Sequence, residues 1–126
     1  MIPELEALRD ALEQIEKVAT CKIGIEPNIA PDDYPLVRIV PQRFTPDAPY
    51  NRRLCETGIF FGAAITHAEG TELVYSTLFD MEAEIIKVIK SQGHKYFETI
   101  TDEDALDTYK MMYIRADVYC ARPETA

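Results

Sequence analysis

The chain has 126 residues, 47% of them apolar, with 13 Lys and Arg against 22 Asp and Glu, for a net charge of −9. That length and apolar fraction suit one domain, spanning 1–126, with a core that needs no disulfide or metal staple, and they exclude wholesale disorder. The charge excludes a protein that grips DNA or RNA with its whole surface, because such a grip comes from neutralising phosphates; a local basic patch remains compatible with it.

The chain opens MIPELEALRD, acidic early and without the cationic start and apolar run of a leader, so no targeting segment is expected. Residues 3–20 read as the first helix. Pro3 suits a first turn, and Leu5, Leu8, Leu12, Ile15 and Ala19 recur at helical spacing. Residues 21–26 alternate as a short strand, with Ile23 and Ile25 on one side. A proline-rich loop follows at 27–35, and then a strand at 36–40 that Pro41 is expected to close.

Residues 42–56 (QRFTPDAPYNRRLCE) read as an extended loop or arm. A connection of that length is uncommon in a small domain and is often functional. It carries Arg43, Arg52 and Arg53 with Phe44 and Tyr50, against only Asp47 and Glu56, so it is net positive in an acidic chain. The alternative is an ordinary β-hairpin loop.

Residues 57–67 form the most apolar strand candidate, with Ile59, Phe61, Ala63 and Ile65 on one face. Small residues on its other face, Gly58, Gly62 and Ala64, predict close approach by a helix or a neighbouring chain. The second helix is expected over 71–92, with Thr71 as N-cap and Gly93 just past the end. Its inward stripe is Val74, Leu78, Met81, Ile85 and Val88 or Ile89, widened by Tyr75, Phe79 and Ile86. Residues 94–101 read as a strand, 101–110 as an acidic turn or short helix, and 112–120 as a half-buried closing strand. The tail ARPETA is expected to fray. The order α-β-β-β-α-β-β predicts an α+β fold, a mostly antiparallel sheet of about five strands packed against two main helices.

No residue pattern carries strong catalytic chemistry. Cys21, Cys55 and Cys120 are odd in number and form no CxxC pair, which favours reduced, structural thiols in a cytosolic setting. Cys55, beside Arg52 and Arg53, is the one nucleophile candidate, since those charges would lower its pKa. His67 and His94 lack zinc-ligand spacing. Asp102, Glu103, Asp104 and Asp107 resemble a cation loop but lack its glycine and closing glutamate, so a solvated acidic turn is expected. No catalytic residue, cofactor or metal site is predicted. The longest stretch without Asp, Glu, Lys or Arg is 57–68, too short for a membrane-spanning helix of about 20 residues.

The order of elements, the strand YPLVRIVP (34–41), the small-residue strand GIFFGAAITHAEG (58–70), the long helix and the closing strand MYIRADVYCAR (112–122) together resemble the tail terminator proteins of tailed phages and prophages. These are small proteins like minor tail protein U, with related tail-completion and head–tail joining proteins. The resemblance spans almost the whole chain and rests on order, length and strand texture. It implies a non-enzymatic virion protein, located in the tail or neck and in the host cytoplasm during assembly. It implies a homo-oligomeric ring, of six copies, on the end of the tail tube. Its partners would be the tail tube protein and a head-completion protein, with DNA only passing through an acidic lumen and no membrane contact. Within that reading Arg43, Phe44, Tyr50, Arg52 and Arg53 are candidate contacts, the arginines pairing with acids such as Asp102, Asp104 and Asp107 of a neighbour. The alternatives are a head-completion or neck connector protein, or a small hydrolase using Cys55 or the acidic cluster.

Overall fold

The computed structural model describes residues 1–47, 50–65, 70–101 and 109–123. The expected acidic turn, with Asp102, Asp104 and Asp107, lies outside the described residues, as do His67 and the side chain of Thr71. The elements run α1 (Pro3–Glu13), β1 (Thr20–Ile23), β2 (Leu36–Asp47), β3 (Arg52–Ala64), α2 (Gly70–Ser91), β4 (Lys95–Thr101) and β5 (Tyr109–Ala121). One five-stranded sheet has the order β1-β2-β3-β5-β4, antiparallel except for β1 against β2. This is the α+β architecture the element order predicts.

Both helices cover one face of the sheet. Leu5, Leu8 and Leu12 of α1 and Val74, Leu78, Met81, Ile85 and Ile89 of α2 join Val37, Ile39, Ile59, Phe61, Met112, Ile114 and Val118 in a single core. The periodicities match the geometry: spacings of three and four put the helical residues on one stripe, and spacings of two put the strand residues on one face. Ile89, not Val88, takes the fully buried place, and Phe79 stands 51% exposed instead of widening the core stripe. Gly93 sits at φ +79 just past α2, where a side chain would be strained, and His94 N–H donates to Ile89 O at 3.0 Å.

Four expectations are corrected. The first helix ends at Glu13, not at residue 20, because the chain must turn to enter β1: Ile15 N–H bonds Leu12 O and Val18 N–H bonds Ile15 O in tight turns. The first strand stops at Ile23, where Gly24 takes φ +89, so Ile25 leaves the sheet and is exposed. Pro41 does not close the second strand. β1 reaches only to Ile39 of β2, so beyond that point β2 is an edge strand, where a missing N–H costs no ladder bond, and it runs on through Pro41 and Pro46 to Asp47. A bulge between Pro41 and Arg43 inserts Gln42 and exchanges the faces of the residues that follow.

The fourth concerns the small residues of β3. Neither helix approaches the two glycines. Gly58 lies under the ring of Tyr113 and Gly62 under the side chain of Met111, both from the neighbouring strand β5. Tyr113 also packs on Phe60, with ring centroids 4.7 Å apart, and its hydroxyl donates to Gln42 Oε1 at 3.2 Å. The far face of the sheet thereby carries a half-exposed aromatic cluster. Opposite Phe60 in the β2–β3 register, Arg38 is fully buried on that face. Its Nε donates to Glu26 Oε1 at 2.6 Å and its Nη1 to Thr20 O, Thr20 Oγ1 and Val37 O. Glu26 therefore ties the proline-rich loop to the sheet. Among the described residues no helix is long and apolar enough to cross a membrane.

Candidate functional site

Residues 42–47 and 52–56 are not a loop. They are the paired end of β2 and β3, with Arg43 opposite Glu56, Phe44 opposite Cys55, Thr45 opposite Leu54, Pro46 opposite Arg53 and Asp47 opposite Arg52. β5 flanks the other side of β3 as far as Ala121, opposite Arg52. The result is a three-stranded arm with β3 at its centre. At its tip Tyr50 N–H donates to Asp47 O at 3.1 Å, and Asn51 takes φ +54, a conformation Asn tolerates better than most residues.

Alternation along the strands sorts the arm's side chains. Arg43, Asp47, Arg52 and Glu56 share the face away from the helices, and Phe44, Pro46, Arg53 and Cys55 share the helix side. On the first face Arg43 Nε meets Glu56 Oε2 at 2.6 Å and Arg52 Nε meets Asp47 Oδ2 at 2.6 Å. The Arg52 guanidinium also lies over the rings of Tyr119 and Tyr50, at 4.0 and 4.7 Å. Two of the three arginines expected to reach a neighbour's acids thus have partners within their own chain, where they stiffen the arm. Arg53 differs: it stacks over Phe44 at 4.2 Å, and its Nε is buried with no hydrogen-bond partner among the described residues. Tyr50 is 68% exposed and Phe44 38%.

On the helix side of the arm a 690 Å³ cleft opens between Phe44, Pro46, Asn51, Arg53, Arg122 and Pro123. Arg122 belongs to the tail expected to fray, yet its Nη1 donates to Asn51 Oδ1 at 2.9 Å. The cleft has two guanidinium groups and no lining carboxylate among the described residues. Sequence reasoning missed Arg122, because only the β3–β5 register brings it beside Asn51.

The cysteines do not form a reactive site. Cys55 sits in β3, fully buried, not in a loop beside the arginines. Burial pushes its thiol up, against the smaller opposing effects of the Thr57 hydroxyl and Arg53. Burial likewise pushes Cys21 up to about 12 and Cys120 up to about 11. All three are free and hold their protons near neutral pH, the opposite of an activated nucleophile. His94 is held neutral by burial, and its Nδ1 accepts from Tyr119 N–H at 3.2 Å. Among the described residues no three His, Cys, Asp or Glu side chains converge as metal ligands.

A second cleft of 450 Å³ lies on the far face between Gln42, Phe60, Ile100, Thr101, Met111 and Tyr113. None of its lining side chains is charged. No protein-family model and no curated protein matches this chain.

Proposed function

We propose that the chain is a ring-forming virion protein that caps the tail tube of a phage or prophage and joins it to the head. The single observation that carries the reading is the arm. A three-stranded extension, fastened by two short ion pairs and two arginine–aromatic stacks, presents exposed Tyr50 and Phe44 together with Arg53. Aromatic and arginine side chains on a rigid support are the composition of contact hot spots. The order of elements and the single-face helical layer agree with the resemblance in the sequence. The buried, protonated thiols weigh against the hydrolase alternative through Cys55. A ring of chains that each carry −9 would present DNA with a surface it slides past instead of binding.

The test is deletion of the gene from the phage or prophage that carries it, with particles imaged by electron microscopy. A terminator predicts tails longer than normal and unjoined to heads. Tails of normal length with heads that leak DNA indicate a neck protein and refute the assignment to the tube.

A further inference from the structure

The cleft on the arm and a half-exposed flank of α2, where the Lys110 Nζ of β5 lies 5.6 Å over the Tyr75 ring, have complementary chemistry and lie apart on the molecule. β3 begins at the arm with Arg52 and ends at Ala64, about 40 Å away at strand rise. α2 starts from that far end at Gly70. On its N-terminal part Glu72, Tyr75, Phe79 and Glu82 recur at spacings of three, four and three, which places them along one line of the helix. Tyr75 and Phe79 stack side by side at 5.8 Å, and Phe79 is half exposed. Neither Glu72 nor Glu82 forms an ion pair or hydrogen bond among the described residues. The stripe therefore reads carboxylate, ring, ring, carboxylate.

The cleft is its counterpart: the Arg53 guanidinium over Phe44 at 4.2 Å, Arg122 held by Asn51, and apolar walls from Pro46 and Pro123. Arg53 has a buried Nε without a partner, and no carboxylate lines the cleft among the described residues. We infer that the Arg53–Arg122 cleft receives the Glu72–Tyr75–Phe79–Glu82 stripe of a second copy of this chain. The two surfaces share no residue, so the contact is head-to-tail, the kind that closes into a ring when the rotation permits. The inference deepens the ring reading and rests on it for closure, but it names the contact independently of what the ring caps. It also moves the expected acidic partner from 102–107 to α2.

The experiment uses two variants of the full chain and measures mass by sedimentation and light scattering, with circular dichroism to check folding. One variant changes the cleft, Arg53→Gln with Arg122→Gln; the other changes the stripe, Glu72→Gln with Glu82→Gln, near-isosteric changes that remove the charges on each side without creating a new complementary pair. Each alone is expected to raise the concentration needed for association by about 100-fold or more. An equimolar mixture retains one good cleft and one good stripe, so it is expected to form a complex of two chains and no larger species. Association unchanged in either variant overturns the inference, as does a mixture that stays monomeric, and as does a wild-type chain monomeric up to about 1 mM. Failure here with overlong tails on gene deletion removes this contact and leaves the terminator reading intact; association as expected with normal tails does the reverse.

Discussion

Gly58→Ala tests why β3 alternates small residues on the far face of the sheet. A Cβ at position 58 would overlap the Tyr113 ring, meeting its hydroxyl at 3.0 Å and Cζ at 3.1 Å, with Cε2 closer still. Tyr113 is half-buried and can swing away, but it then leaves Phe60, 4.7 Å distant, and releases Gln42. The lost aromatic pair is worth about 0.5–1.5 kcal/mol and the exposed hydrogen bond about 0.5 kcal/mol. Against this, replacing glycine by alanine inside a strand gains about 0.5–1 kcal/mol of backbone entropy. The net cost is about 1 kcal/mol, or a fall in Tm of about 3–5 °C for a chain this long. The sign should reverse in a Tyr113→Ala background, where the space above residue 58 is open and only the entropy gain remains. Urea denaturation of the two single variants and the double variant measures the coupling, expected near 1.5–2 kcal/mol. An equal cost of Gly58→Ala in both backgrounds would refute the reasoning.

Three further outcomes follow from named groups. The hydrogen bond from Arg38 holds the Glu26 carboxyl down at about 2, so its stabilising effect is present above the ordinary carboxyl range near 4.5 and fades as pH falls toward 2; Glu26→Gln should flatten the acid limb of Tm against pH, and superimposable limbs would contradict the pairing. Burial lowers the His94 pKa, so the folded state resists protonation and stability is lost as pH falls below about 6.5; His94→Asn, which keeps an acceptor for Tyr119 N–H, should lessen the loss between pH 7 and 5. The three buried thiols should react with an aromatic disulfide reagent at pH 8 only after unfolding, and rapid labelling of any one in the native protein would contradict its placement.

Legibility in the sequence followed how local each signal is. The Leu5–Leu8–Leu12 and Val74–Leu78–Met81–Ile85 stripes and the alternation of Met112 to Cys120 each lie within one element, and the core assembles from them as their periods require. Pro41 misled, because proline ends a strand only where its N–H is needed, and that depends on how far β1 reaches along β2. The same long-range pairing turned the 42–56 connection into an arm and gave Arg43 and Arg52 partners in their own chain. Glycines 58 and 62 were legible as sites of close approach, but what approaches them is fixed by the β3–β5 register. Arg122 and the Arg38–Glu26 pair were invisible for the same reason: nothing in the local pattern brings residue 122 beside Asn51, or residue 26 beside residue 38.

The central claim is that copies of this chain close into a ring, and absolute mass across protein and salt concentration tests it most directly. Repulsion between chains of net charge −9 acts over the Debye length, about 30 Å at 0.01 M salt and about 8 Å at 0.15 M, whereas contacts between guanidinium and carboxylate act within a few ångströms. Salt up to about 0.15 M should therefore strengthen assembly, and the mass should rise from 14.3 kDa to a plateau at six copies that more protein does not exceed. A mass that stays at one chain under every condition, or one that grows without a plateau, would contradict the ring.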